Sequence, residues 1–66
     1  MKVDSDAVRA ARDRAGLTQE QAADAVFVNK MTWWNWENGG HGMGKGLFEF
    51  FLLRTGQRRL SRYKPE

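Results

Sequence analysis

The chain has 66 residues and a mass of 7.6 kDa, which leaves room for one small domain with a thin hydrophobic core. It has no cysteine and one histidine, which excludes disulfides, thiolate chemistry and a multi-histidine metal site within one chain. Residues 30–66 carry seven basic and three acidic side chains, whereas residues 1–29 carry four and five, and this asymmetry fits either a surface that binds a polyanion or an ordinary solvated face.

The first helix is predicted over about residues 5–15. Asp4 or Ser5 can cap its first turn, and Gly16 can end it in a left-handed conformation. Side chains at spacings of three and four place one face of this helix toward the core, namely Val8, Ala11, Arg12 and Ala15. Because the apolar members of this face are small, another helix can approach closely.

The second helix is predicted to start at a Thr-x-x-Gln capping box formed by Thr18 and Gln21. It runs to near Phe27, because Asn29 has the character of the next N-cap. A link of three or four residues places the second and third helices at a steep angle to each other.

The third helix is predicted over about residues 30–37, with Trp33 and Trp36 on one face and Trp34 pointing elsewhere. A glycine-rich stretch follows, and the fourth helix is predicted over about residues 47–54, ended by Gly56. The core side of the fourth helix is expected to comprise Phe48, Phe51 and Leu52. No alternating apolar run is long enough to predict a strand pair.

Three sequence segments resemble the lambda-repressor/Cro-like helix-turn-helix family: residues 17–23 (Leu-Thr-Gln-Glu-Gln-Ala-Ala), Val28-Asn29-Lys30 and Trp36-Glu37-Asn38-Gly39. The resemblance covers roughly residues 8–56, and the run from Leu47 to Gly56 looks like the fourth helix of short phage and plasmid members. It implies an all-α domain of four to five helices over residues 1–56, followed by a basic tail over residues 57–66. It also implies a compact regulator of transcription that binds DNA.

The third helix has the features of a helix that reads DNA. The major groove admits one α-helix, and such a helix must be anchored behind and polar or adaptable in front. The resemblance implies that base edges are touched by Lys30, Met31 and Asn35. Lysine can bind guanine, asparagine can bind adenine, and methionine can pack on a thymine methyl. Trp34, where a small or polar residue is common, is a further base-contact candidate that stacks on sugar or thymine methyls, packs under the glycine-rich loop, or forms a dimer patch.

Phosphate contacts are expected on either side of this helix, by resemblance, from Gln19, Thr32, Asn38, His41 and Lys45. The resemblance also implies an ion pair between Arg12 and Glu37 that holds the third helix against the first. That pair is expected to stabilise the domain without touching DNA.

Two further departures from the family pattern concern the second helix and its turn. Ala22 replaces a large aliphatic residue, and Phe27 replaces a glycine. Since a bulky residue at positive φ is unfavourable, either the turn geometry differs or Phe27 fills the space that Ala22 leaves.

The fourth helix carries more apolar residues than one core face needs. Its surplus side chains, Leu47, Phe50 and Leu53, are candidates for a homodimer interface, with an ordinary helix packed on its own core as the alternative. The basic tail, which includes Arg58 and Lys64, is expected either to neutralise phosphates or to be disordered.

These observations predict a sequence-specific, dimeric repressor that binds double-stranded operator DNA with two-fold half-sites. We expect a cytoplasmic protein with no membrane span, no cofactor, no metal, no small-molecule substrate and no enzymatic activity, because thiols, metal-ligand clusters and a second histidine are lacking. The alternative is a protein-interaction module on the same scaffold, such as an antitoxin-like or anti-defence partner, favoured by the apolar surface around Phe50 and Trp34.

Overall fold

The computed structural model describes residues 2–58, so the predicted tail from Arg59 onward lies outside the described residues. Within that range the chain forms four helices and one short pair of strands. In chain order these are β1 (Lys2–Val3), α1 (Ser5–Ala15), α2 (Gln19–Ala25), α3 (Lys30–Glu37), β2 (Met43–Gly44) and α4 (Lys45–Arg54). The predicted small all-α domain is confirmed. In the described range, every helix is too short to cross a membrane.

Local capping signals account for the helix boundaries. Gly16 ends α1 at φ 71°, and its amide and that of Leu17 bond to carbonyl groups of the last turn of α1. Thr18 and Gln21 form the reciprocal capping box at the start of α2, as predicted. Asp4 is the N-cap of α1, one of the two residues predicted for this position, but the predicted hydrogen bond from its side chain is absent.

The core is built around one tryptophan. Trp33 is fully buried, with its ring centroid 4.9 Å from that of Phe51 on α4 and 5.5 Å from that of Trp36. Such aromatic side chains each remove roughly 150–250 Å² from water, which makes them the largest apolar contribution to so small a core. The helices approach closely around these rings because small residues line the contacts: Ala11, Ala22 and Ala23.

A short antiparallel strand pair joins the start of the chain to the loop before α4. Lys2 pairs with Gly44, and Val3 pairs with Met43, whose side chain is fully buried. The sequence pattern predicted no strand pair, and this is wrong, because strands of two residues are too short to show alternation. A β-carbon on Gly42 would lie 2.7 Å from Cβ of Lys2, so the close approach of the two segments requires glycine there.

The end of α4 is fastened to α1. Gly56 adopts φ 79°, and the amide of Gln57 reaches back to the carbonyl of Leu52 at 2.8 Å. The Gln57 side chain donates to the carbonyl of Ala11 (3.0 Å) and accepts from Nε of Arg14 (3.1 Å). The first residue of the predicted tail is therefore hydrogen-bonded to the helical domain.

Candidate nucleic-acid interface

The turn between α2 and α3 keeps a glycine-type geometry although it contains phenylalanine. Phe27 adopts φ 62°, and its amide and that of Val28 bond to the carbonyl groups of Asp24 (3.2 Å) and Ala23 (3.0 Å). This is the hydrogen-bond pattern of a left-handed helix end, which glycine adopts without steric strain. Phe27 is 75% exposed, so it does not fill space beside Ala22. The two predicted consequences of a phenylalanine at this position, an altered turn geometry and the filling of that space, are therefore both wrong.

The exposed ring of Phe27 packs against α4. Its centroid lies 6.3 Å from that of Phe50, and the guanidinium carbon of Arg54 lies 5.3 Å from the same centroid. Nε of Arg54 also donates to the carbonyl of Ala25 at 3.1 Å. An aromatic pair contributes about 0.5–1.5 kcal/mol, and a cation over an exposed ring about 0.5–1 kcal/mol. These contacts offset the roughly 1–2 kcal/mol that a non-glycine residue loses at positive φ.

The helix α3 has one buried and one exposed side. Asn29 caps it by accepting a hydrogen bond from the amide of Thr32 at 2.8 Å. Trp33, Trp36 and Glu37 face inward. On the other side Met31 is 64% and Trp34 46% exposed, and Lys30 is also exposed. The helix is thus anchored from behind, and its front is open to a partner.

A buried carboxylate joins α3 to both preceding helices. Glu37 is 4% exposed, and it forms the predicted ion pair with Arg12 of α1, whose Nε and Nη2 reach the two carboxylate oxygens. Trp33 donates from Nε1 at 2.6 Å, and Gln19 of α2 donates from Nε2 at 3.1 Å. Nε of Arg9 lies 3.7 Å away. The orientation of α3 is therefore fixed by charge-assisted hydrogen bonds from the two preceding helices, α1 and α2.

These bonds control the ionisation of the buried pair. Burial by itself raises the pKa of Glu37, but hydrogen bonds from Arg12, Trp33 and Gln19 outweigh it, so the pKa of Glu37 is lowered. The hydrogen bond to Glu37 raises the pKa of Arg12 against the effect of desolvation. Both groups are consequently charged at neutral pH.

The predicted base-contact residues occupy different surroundings on α3. Lys30, Met31 and Trp34 are exposed and, together with Asn29, line an open notch of about 570 Å³. Asn35 is half-buried beside the loop that follows α3. A β-carbon on Gly40 would lie 3.1 Å from Oδ1 of Asn35, so the loop covers part of this side chain. The structure therefore brings three of the four residues together and sets Asn35 apart.

The predicted phosphate-contact residues are distributed over α2, α3, the loop after α3 and the start of α4. Gln19 is half-buried, and one of its two amide hydrogens is directed at Glu37. Asn38 is exposed but donates from Nδ2 to the carbonyl of Trp34 at 2.9 Å. His41 and Lys45 are exposed, in the loop and at the first position of α4. Thr32 is half-buried on α3.

The dimer candidates are divided between surface and interior. Leu47 is 37% and Phe50 36% exposed, whereas Leu53 is half-buried. Sequence reasoning missed Phe27 as their neighbour, because the contact depends on how α4 packs beside the turn. It also missed Trp33 as a partner of Glu37, although their separation of four residues places both on one helix face.

The comparison with known proteins agrees with this geometry. Residues 5–49, about two thirds of the chain, match the family model described as a helix-turn-helix domain. A search of the curated proteins finds no match. The matched range runs from the first residue of α1 into α4 and includes the turn at Phe27 and the exposed side of α3. The match supports DNA binding, and the chain belongs to the helix-turn-helix domain family.

Proposed function

We propose that this protein is a sequence-specific transcriptional regulator of the lambda-repressor/Cro-like type, which inserts α3 into the major groove and represses by occupying its operator. The observation that carries the proposal is the two-sidedness of α3. Trp33 and Glu37 hold its back against the domain, while Lys30, Met31 and Trp34 are free to meet a duplex. A groove about 12 Å wide accepts such a helix.

The charge distribution supports a polyanionic partner. Lys30, His41 and Lys45 are exposed around α3 and the loop after it. The acidic residue nearest to this surface in sequence, Glu37, is buried and paired with Arg12, so it presents no negative charge to phosphates. Affinity therefore falls steeply with salt, since each neutralised phosphate releases counterions.

In this proposal the regulator is a homodimer that binds two half-sites about 34–36 Å apart, as two-fold repressors of this architecture do. The exposed side chains of Leu47 and Phe50 support an interface on α4. The domain occupies residues 1–56, and the basic tail adds phosphate contacts without sequence preference. The protein acts in the cytoplasm without a cofactor, a small-molecule substrate or catalytic activity.

The test begins with selection of duplexes from random DNA by the full chain. Two variants that each remove the charge of one lysine then distinguish a base contact from a phosphate contact. Lys30→Ala is expected to reduce the ratio of specific to scrambled binding by about fivefold to 150-fold, since a base contact contributes about 1–3 kcal/mol of discrimination. Lys45→Ala is expected to weaken both duplexes equally and to reduce the salt slope by about one.

Two results refute this proposal. The first is a selection that enriches no sequence. The second is an unchanged ratio of specific to scrambled binding in Lys30→Ala, measured on the selected duplex at two salt concentrations. Circular dichroism of both variants checks that each retains the helical fold.

A second candidate function is a protein-interaction module, antitoxin-like or anti-defence, on the same scaffold. The exposed aromatic pair Phe27 and Phe50 favours it, because a strained and solvent-exposed aromatic residue is a typical feature of a binding surface. Light scattering after size exclusion, with and without the duplex, separates the two candidates. A monomer that is indifferent to DNA favours the interaction module.

A further inference from the structure

The exposed side of α3 contains an apolar notch that polar base reading does not explain. Its walls are Asn29, Lys30, Met31 and Trp34, all from the cap and the first five residues of one helix. Met31 and Trp34 lie three positions apart, so they are neighbours on the helix surface. They keep 64% and 46% of their surface exposed, although a tryptophan and a methionine favour burial.

The lining of the notch indicates the chemistry of its ligand. The ligand needs an apolar group that contacts Met31 and Trp34, and it needs negative charge near Lys30. The lining of the notch is predominantly apolar, and it includes Met31 and Trp34 with Lys30 beside them. Among the four bases, only thymine presents an apolar group in the major groove, its C5-methyl. Cytosine carries only a hydrogen at C5, so it would leave unfilled the apolar space that the methyl of thymine can occupy. The ammonium of Lys30 complements the negative charge of the duplex.

The shape of the notch argues against a small-molecule ligand. Sites for small molecules enclose most of the ligand surface. This notch of about 570 Å³ is open to solvent, and a single helical segment provides all its walls. It can cover one edge of a planar group that is already held by other contacts, as a base pair in a duplex is.

We propose that Met31 and Trp34 form a receptor for the C5-methyl of a thymine, so that the protein binds more tightly when one position of each half-site is a 5-methylpyrimidine. The inference rests on the proposed function, because it needs α3 in the major groove. It assigns Met31 and Trp34 one shared role, and it excludes for Trp34 the alternatives of packing under the loop and of forming the dimer patch.

The probe is the duplex selected from random DNA, remade with each thymine replaced singly by deoxyuridine, which removes the methyl and keeps the base pairing. The full chain is expected to bind about fourfold more weakly when one particular thymine of a half-site is replaced, the loss that follows from leaving one methyl group unburied. In Met31→Ala and in Trp34→Ala this penalty is expected to disappear. Lys45→Ala serves as the control, because it weakens binding but retains the fourfold penalty.

The outcomes separate this inference from the proposed function. If no duplex is enriched, both fail. If a duplex is bound specifically but contains no thymine, or tolerates deoxyuridine at every position, the proposed function stands and the thymine receptor is refuted. If the penalty persists in both Met31→Ala and Trp34→Ala, the receptor lies elsewhere on the protein and the assignment is wrong. Both residues are largely exposed, and if Trp34→Ala fails to fold by circular dichroism, Met31→Ala decides the question.

Discussion

The stability of this domain depends on one carboxylate, and Glu37→Gln tests that dependence. The substitution keeps the size of the side chain but removes its charge. The environment of Glu37 consists of donors, from Arg12, Trp33 and Gln19, so the new amide nitrogen must face a donor whichever way it is turned. Arg12, whose side chain is 19% exposed, loses its anionic partner at the same time.

Removal of one member of a buried ion pair costs about 3–5 kcal/mol, because the other charge is left without compensation. A domain of this size rarely has more than about 3–5 kcal/mol of total stability from its core. Glu37→Gln is therefore expected to leave the domain largely unfolded at room temperature. Trp33→Phe keeps an aromatic ring but deletes the Nε1 donor, for which we expect a smaller loss of about 1.5–3 kcal/mol.

Far-ultraviolet circular dichroism across a urea series measures both effects: Glu37→Gln is expected to lack the folded signal before urea is added, whereas Trp33→Phe is expected to keep a transition at a lower urea concentration. Glu20→Gln is the matched control, since Glu20 is exposed in the first turn of α2 and the same chemical change there is expected to shift stability by no more than about 0.5 kcal/mol. Equal midpoints for Glu37→Gln and Glu20→Gln would show that the hydrogen bonds around Glu37 do not hold the three helices together. A Trp33→Phe loss that exceeds that of Glu37→Gln would show that packing of the indole outweighs the carboxylate.

Two further predictions concern acid stability and the α2–α3 turn. The pKa of Glu37 is lowered in the folded state, so the unfolded state binds more protons as the solution is acidified. The stability that ionised Glu37 contributes is therefore complete above about pH 5. It is lost as the pH falls through the unfolded value of about 4.3 and then through the folded pKa. Carbon NMR of the Glu37 carboxyl group during acid titration measures that pKa, and a midpoint at or above the ordinary glutamate value would contradict the assignment. Phe27→Ala is expected to be about 1 kcal/mol less stable than Phe27→Gly in urea, because both lose the ring contacts and only alanine keeps the penalty of φ 62°. Equal stability of the two variants would mean that the turn relaxes to another conformation when the ring is removed.

The helices were predictable because their ends are encoded locally. The cap residues Thr18 and Asn29 lie within three residues of the amides they bind, and Gly16 supplies a conformation that few other residues adopt. The bounds of α1 and α3 followed from such signals and from the spacing of the buried side chains. The buried side of α3 was predicted in the same way, because the spacing of Trp33 and Trp36 places both on one face of the helix.

The strand pair and the attachment of Gln57 were not predictable, because each joins residues that are distant in sequence, such as Lys2 with Gly44 and Ala11 with Gln57. Two-residue strands carry no periodic pattern, and a glutamine after a helix has no local feature that indicates its partner. Gln19 shows the same limit at the candidate site. Its amide can donate to a phosphate or to a carboxylate with equal chemistry, and only the fold reveals that Glu37 lies within 3.1 Å.

The distribution of side chains on α3 is the reverse of what stability alone would favour. A carboxylate lies in the core and needs donors from three helices, whereas Trp34 and Met31 lie at the surface. Replacement of a buried ion pair by apolar residues often leaves a protein as stable as before or makes it more stable. Apolar side chains at the surface contribute little to the stability of the fold. Both choices become advantageous if α3 must meet a partner at a fixed angle. Directional hydrogen bonds to Glu37 set that angle more narrowly than apolar packing does, and the exposed pair then contributes its burial to binding.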